Sequence, residues 1–167
     1  MIAEIGHFAL ILALVLSVVQ CVLPLVGAAR GIGSWMALAR TAAYANALFL
    51  TISFGTLAYS FYISDFTLLN VASNSNSLFP WFYKVAATWG SHEGSILFWA
   101  LMLTWWGFLV ALTSRKLPQE TVARVLGVMG FITAVFVAFM LFTSNPFLRL
   151  FPAAPEGADL NPLLQDP

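Results

Sequence analysis

One short stretch of this chain combines ionisable, hydroxyl and glycine residues at the edge of a long apolar run. It is Trp89-Gly-Ser-His-Glu-Gly-Ser95, called here the Trp89–Ser95 motif, and the apolar run that follows it includes Trp99. His92 and Glu93 form an ionisable pair beside a membrane span. Such a pair costs free energy in hydrocarbon, so it usually faces a partner, a cavity or the water boundary. The motif is therefore the first candidate site.

Two interpretations of this region stay open on the residues alone. Aromatic and charged residues collect at the membrane interface, and that tendency would explain Trp81, Tyr83, Lys84 and Trp89 as anchors. Ionisable residues at a membrane span are also associated with function, which favours a binding or catalytic site. The residue types alone are compatible with both a membrane anchor and a functional site.

The spacing of the motif predicts a helix. Pro80 suits a first helical turn, and the helix could continue through Gly90 and Gly94 into the next span. Two glycines four residues apart would let a neighbouring backbone or a flat ligand approach. His92 and Glu93 would diverge by about 100°, so they would serve two different contacts. One face of a continuous helix would carry Thr88, His92, Ser95 and Trp99.

Composition places the chain in a membrane. Of its 167 residues, 60% are hydrophobic and only 8% are charged, against roughly a quarter charged in soluble domains. The net charge of zero excludes a basic footprint for nucleic acid. The single cysteine, Cys21, cannot form an internal disulfide, and its apolar surroundings favour a packing role over a redox role.

The chain carries four apolar runs, each long enough to cross a bilayer as a helix. They are residues 5–29, 42–63, 94–113 and 122–143. The first run lacks the basic start of a signal peptide, so we expect a retained span, with Pro24 kinking it or marking its fraying end. The pattern predicts a single all-α membrane domain, a bundle of about four transmembrane helices with a periplasmic interfacial helix near Phe79 to Ala87.

Charge asymmetry predicts the orientation of this bundle. Five of the seven basic residues fall in two short connections, residues 30–40 and 114–124; they are Arg30, Arg40, Arg115, Lys116 and Arg124. By the positive-inside rule both connections face the cytoplasm. The N-terminus, a polar loop at residues 64–93 and a tail at residues 144–167 would then be periplasmic in a bacterial inner membrane.

His7 is the other histidine of the chain. A lone histidine is more often a hydrogen-bonded structural residue than a ligand, although imidazole suits iron. Neither His7 nor His92 has a second histidine at metal-ligand spacing, so the sequence predicts no classical metal site.

The motif resembles the signature of the cytochrome c maturation F family of haem lyase subunits, also called CcmF or NrfE. A second motif, Ser144-Asn-Pro-Phe147 followed by Gly157-Ala-Asp-Leu-Asn-Pro-Leu-Leu-Gln-Asp-Pro167, resembles the same family's approach to its first periplasmic histidine. The resemblance covers essentially the whole chain. The matching positions are Trp89, Gly90, His92, Glu93, Gly94 and Ser95, and in the second motif Asn145, Pro146, Asn161, Pro162, Gln165 and Asp166.

The resemblance implies cytochrome c maturation. Members of this family are large inner-membrane proteins that act in a complex with other maturation subunits. They receive haem from a periplasmic haem chaperone, attach it to apocytochrome c, and hold a further haem b between membrane histidines. Their tryptophan-rich segment and haem-ligating histidines are expected beyond Pro167. For these 167 residues the resemblance therefore implies a scaffold and docking surface, with no catalytic residue assigned, and with haem lyase activity only within a larger protein or complex. His7 and His92 remain candidate haem ligands, and neither is assigned as one.

Two other functions stay open. A small transporter or proton-conducting subunit would use His92 and Glu93 in an outer vestibule, but the middles of all four spans lack Asp, Glu, Lys and Arg. A purely structural assembly subunit would need no ligand of its own. A haem role predicts that altering the site causes loss of covalent cytochrome c, whereas a transport role predicts a change in ion flux.

Overall fold

The computed structural model describes residues 1–158 and folds most of them into helices. In chain order these are α1 (Ile2–Arg30), α2 (Gly33–Tyr62), α3 (Leu69–Asn74), α4 (Trp81–Gly90), α5 (His92–Thr113), a one-turn 3₁₀ helix (Ser114–Lys116) and α6 (Gln119–Phe142). Strand-like pairing within this range is limited to one isolated bridge between Leu68 and Arg149. The predicted all-α class is confirmed.

Four helices, α1, α2, α5 and α6, are long and apolar enough to cross a membrane. A helix satisfies its own backbone hydrogen bonds, which is why a continuous apolar sequence in lipid adopts this structure. α1 packs against α2 and α6, and α5 packs against the same two helices. The prediction of a four-helix membrane bundle is confirmed.

The connection predicted for residues 30–40 is wrong. α1 continues past Pro24 to Arg30, and α2 already begins at Gly33. Gly31 ends α1 in the left-handed conformation, with φ of 69°, which favours glycine because it has no Cβ. The chain therefore reverses within two residues, and Arg40 lies inside α2 rather than in a loop.

Small residues let the membrane helices approach closely. A Cβ added to Gly130 of α6 would lie 3.0 Å from the backbone nitrogen of Cys21 in α1. A Cβ added to Gly6 of α1 would lie 2.2 Å from the hydroxyl oxygen of Thr56 in α2. Membrane helices associate through such close packing, because apolar side chains gain little by leaving lipid.

A polar clamp joins three of these helices inside the bundle. Asn46 of α2 donates from its amide nitrogen to the amide oxygen of Gln20 in α1, over 2.7 Å. Gln20 in turn donates to the carbonyl oxygen of Leu126 in α6, over 2.8 Å. Both amide side chains are buried, with exposed fractions of 1% for Asn46 and 3% for Gln20. Hydrogen bonds between buried groups fix the relative position of α1, α2 and α6.

The predicted loop at residues 64–93 contains α3 and α4, and the start of the predicted tail folds back onto it. The amide of Leu69 donates to the carbonyl of Leu148 over 2.9 Å, and that of Leu150 donates to Thr67 over 2.8 Å. Farther along, the amide of Ala158 donates to the carbonyl of Ala72 over 2.7 Å. Two segments that are far apart in sequence therefore cover the same end of the bundle.

Candidate functional site

The Trp89–Ser95 motif contains a break, so the continuous helix predicted across it is wrong. Ser91 has extended backbone angles, φ −80° and ψ 153°, and separates α4 from α5. Its hydroxyl oxygen accepts a hydrogen bond from the amide of Gly94 over 3.1 Å. This is the usual role of serine at a helix N-cap, where it satisfies an amide that has no partner within the helix.

The break changes which side chains share a face. Thr88 is fully buried near the end of α4, whereas His92 is exposed as the first residue of α5. The predicted common face is therefore wrong for Thr88, whereas His92, Ser95 and Trp99 still share a face within α5. Ser95 donates from its hydroxyl to the carbonyl of His92 over 2.9 Å.

Gly94 is the point of closest approach between α4 and α5. A Cβ at this position would lie 1.6 Å from the carbonyl oxygen of Thr88. No side chain fits within that distance, so the turn from α4 into α5 requires glycine here. The backbone that approaches Gly94 is that of its own chain, six residues earlier.

The second motif forms a tight turn beside the first. The side-chain oxygen of Asn145 accepts from the amide of Phe147 over 2.9 Å, with Pro146 between them. The amide of Leu148 closes the turn on the carbonyl of Asn145 over 3.2 Å. Asparagine and proline favour this geometry because the asparagine side chain bonds the backbone two residues on and proline fixes φ. The turn directs Phe147 into the bundle, where 4% of it is exposed.

Both histidines of the chain contact this turn or the residue before it. Nδ1 of His92 lies 3.1 Å from the hydroxyl oxygen of the buried Ser144. His7 of α1 lies with Nε2 3.5 Å from the amide nitrogen of Asn145, and its ring stacks on Phe147 with centroids 6.3 Å apart. Residues 144–147 therefore link the start of α5 to the start of α1.

A cleft of about 220 Å³ opens where the two motifs meet. Its lining joins α3, α5 and the second motif and includes Asn70, Ser73, Asn74, Glu93, Ser144 and Asn145. Asn70 is 4% exposed, and its amide nitrogen has no hydrogen-bond partner among residues 1–158. The cleft thus combines the exposed hydroxyl of Ser73 with the carboxylate of Glu93.

The remaining motif positions lie elsewhere. Trp89 is 45% exposed on α4, and Gly90 is the last residue of that helix. Neither lines the cleft. Asn161, Pro162, Gln165 and Asp166 lie outside the described residues.

Ion pairs and charge-assisted hydrogen bonds hold residues 148–158, the segment that follows the turn at residues 144–147. Arg149 pairs with Glu4 of α1, and its guanidinium lies 3.9 Å from Asp65. Farther along, Glu156 accepts from the hydroxyl and the amide of Ser77 over 2.6 and 3.0 Å. The Ser77 hydroxyl, together with the amides of Gly157 and Ser77, holds the pKa of the Glu156 carboxyl below its usual value. These contacts fasten the chain over α3 and the start of α1.

Reasoning from the sequence missed Asn70, Ser73 and Asn74 as site residues. Their polarity indicated only turns in a water-facing loop. Ser144 stands in the second motif, but nothing in its spacing indicates a contact with His92, 52 residues away. Only the return of residues 144–158 onto residues 65–78 brings these groups together.

Comparison with known proteins places both motifs in one family. A family model described as "Cytochrome C assembly protein" matches residues 89–167 and so begins at Trp89. The cytochrome c-type biogenesis protein CcmF of Pseudomonas aeruginosa is 56% identical over 167 residues, covering 99% of this chain and 25% of that protein. CcmF of Escherichia coli is 49% identical over 168 residues, covering 100% of this chain and 26% of that protein.

A solved structure is also similar. The cytochrome c haem lyase CcmF superposes with a TM-score of 0.82 at 27% sequence identity, over 91% of this chain and 26% of that one. The chain spans about a quarter of the length of the curated relatives it matches.

Proposed function

Because this chain belongs to the cytochrome c maturation F family, we propose that it takes part in attaching haem to apocytochrome c. Within a membrane haem lyase it serves as a scaffold and docking surface. Its protein partners there are other maturation subunits and a haem chaperone, and membrane lipid surrounds its helices. The observation that carries this proposal is the meeting of the two family motifs: His92 contacts Ser144, and Glu93 and Ser144 line one cleft.

The polar groups of the cleft suit a peptide better than a haem. Each residue of a peptide backbone offers one N–H donor and one C=O acceptor. The exposed Ser73 hydroxyl can donate to a carbonyl oxygen, and the Glu93 carboxylate can accept from an N–H. The occupant of this cleft is an extended segment of apocytochrome c or of the haem chaperone.

The cleft does not fit a resident haem. Pockets that enclose a ligand of drug or cofactor size usually measure about 300–1,000 Å³, and this cleft measures about 220 Å³. His7 is held by Asn145 and Phe147, while His92 uses Nδ1 on Ser144. Within residues 1–158 no three of His, Cys, Asp and Glu form a metal-binding group. The proposal therefore assigns the haem b and the substrate haem of the family to residues other than these.

The proposed orientation puts the cleft in the periplasm of a bacterial cell, with the chain in the inner membrane. The N-terminus of α1, the region at residues 64–93 and the segment after α6 share that side. Positive residues support this arrangement: Arg30, Arg115, Lys116 and Arg124 all lie at the other end of the bundle, and the Arg40 side chain reaches the same end. A phosphatase fused after Phe142 would be active only if this end is periplasmic.

The test of function replaces His92 in cells whose cytochrome c maturation depends on this chain. We expect His92→Ala to lower the yield of covalent cytochrome c, because it releases Ser144 and with it the second motif. His92→Asn should restore most of the yield, since an asparagine amide can occupy the place of Nδ1. His92→Gln should not restore the yield, because the longer glutamine side chain places its amide where Nε2 of the histidine lies.

The outcomes separate the proposal from its alternatives. A full yield with His92→Ala would leave the motif with a structural assembly role only. Rescue by glutamine and not by asparagine would assign the function to Nε2 and would contradict the docking role. A change in ion flux with normal cytochrome c would favour the small transporter or proton-conducting subunit.

A separate spectroscopic test addresses haem. The purified 167-residue chain in detergent, mixed with haem, should show no Soret band that depends on a histidine. Spectra of His7→Ala and His92→Ala should match that of the unaltered chain. A ligated-haem band that vanishes in either variant would place an axial ligand in these residues and overturn the scaffold interpretation.

A further inference from the structure

A second pocket lies at the other end of the bundle, far from the two motifs. It measures about 280 Å³ and opens between α2, the 3₁₀ helix and the start of α6. Its lining includes Met36, Arg40, Arg115, Leu117, Gln119 and Val122. Two guanidinium groups therefore share one small cavity with apolar side chains.

The pocket carries positive charge without a matching acid. Among residues 1–158, its lining includes two arginines and no carboxylate. Glu120, the acidic residue nearest in sequence, pairs with Arg124 one turn along α6. The chain as a whole has a net charge of zero, so the excess is local to this end of the molecule.

The two arginines differ in how they are held. Arg40 is half-buried and donates from Nη2 to the carbonyl oxygen of Ser114 over 2.9 Å. Its other N–H groups stay available, because a guanidinium has five donors. Arg115 is exposed, and none of the ion pairs within residues 1–158 involves it. One arginine is fixed and the other can move onto a ligand, an arrangement that suits a tetrahedral anion.

Apolar surface surrounds the charged groups. Leu117 in the pocket lining is 55% exposed, and Met36, Ala37 and Val122 complete the apolar part of the lining. α5 ends at Thr113 and α6 begins at Gln119, so the pocket lies at the ends of membrane helices, where the hydrocarbon meets the headgroups. A ligand here would meet both cationic groups and apolar side chains.

We propose that this pocket binds the phosphate of an anionic membrane lipid, with its acyl chains along the exposed Leu117 and the apolar lining beside it. Basic pockets between membrane helices bind acidic headgroups in this way, and arginine forks favour phosphate. Free phosphate shares the headgroup chemistry but makes no use of the apolar lining. The site is separate from the cleft, so its failure would leave the proposed role in cytochrome c maturation untouched.

The experiment measures binding of phosphatidylglycerol to the purified chain in detergent, by native mass spectrometry. Phosphatidylcholine serves as the neutral lipid, and inorganic phosphate is tested as a competitor. We expect saturable binding of phosphatidylglycerol that exceeds that of phosphatidylcholine and that inorganic phosphate does not displace. Arg115→Gln should weaken binding about tenfold, the loss expected from one charge-assisted contact.

A matched control removes the same charge next to the pocket. Lys116 is exposed and does not line the cavity, so Lys116→Gln should change the affinity by less than about twofold. Equal losses for Arg115→Gln and Lys116→Gln would mean diffuse attraction and would overturn the site. Equal binding of phosphatidylcholine, or displacement by inorganic phosphate, would overturn the assignment to an anionic lipid. Thermal unfolding of both variants verifies that neither loses its fold.

Discussion

The two ends of this helix bundle are built in different ways. At the end with the two motifs, backbone groups meet at close range: Gly94 lies against Thr88, and residues 144–158 pair with residues 65–78. At the other end, helices join through short connections, and the half-buried Arg40 and the exposed Arg115 line the pocket. Close backbone packing therefore dominates at the first end, and side-chain charge dominates at the second. Substitutions should disturb the first end through geometry and the second through electrostatics.

The largest effect should come from closing the space at Gly94. Gly94→Ala places a Cβ against the carbonyl of Thr88, so α4 and α5 must separate. We expect the free energy of unfolding to fall by about 1–3 kcal/mol or more, as when a packed site is overfilled. Thermal unfolding in detergent micelles measures this change, and cytochrome c yield should fall with it.

Gly107→Ala on the same helix is the matched control. A Cβ there would lie 3.6 Å from the terminal methyl carbon of Met129, an ordinary contact. Alanine also favours helix, so this variant should be neutral or more stable by about 0.5–1 kcal/mol. Equal changes in the free energy of unfolding for the two variants would mean that the turn at Gly94 does not require glycine.

The next effect lies between the two ends, at the polar clamp. Gln20→Leu removes the partner of the Asn46 amide and leaves that buried group without a hydrogen bond. We expect a loss of about 1–2 kcal/mol, near the upper range for polar contacts in membrane bundles. Gln119→Leu makes the same replacement at an exposed site and should cost less. A comparable cost in both variants would show that the clamp does not stabilise the bundle.

The smallest expected effect is on the pH dependence with which residues 148–158 dock onto the rest of the chain. The carboxylate of Glu156 has a lowered pKa because Ser77 donates to it. A lowered pKa in the folded state means that docking is strongest above the ordinary carboxyl range and weakens as pH falls through the lowered value. Ser77→Ala should shift that weakening to higher pH.

Hydrogen exchange at the Ala158 amide reports this docking, because that amide donates to Ala72. Ser34→Ala, at the other end of the molecule, should leave the pH dependence unchanged. An unchanged pH dependence in Ser77→Ala would mean that Ser77 does not hold Glu156.

Sequence reasoning found the parts of the molecule that depend on local pattern. The four apolar runs predicted the bundle because lipid requires continuous apolar helices. The break at Ser91 was not predicted, since the spacing of Gly90 and Gly94 suggested a continuous helix, although Ser91 caps α5 through a local hydrogen bond from Gly94. The cleft was not predicted because Asn70 and Ser144 meet through long-range backbone pairing, which no local pattern encodes.

The central claim is that the two motifs act as one unit through His92 and Ser144. A double-mutant cycle on covalent cytochrome c yield tests it, with His92→Ala, Ser144→Ala and the double variant in cells that depend on this chain. Each single substitution should lower the yield, and the double variant should be no worse than the more severe single one. Losses that multiply independently, or a full yield with Ser144→Ala, would contradict the claim that these residues work together.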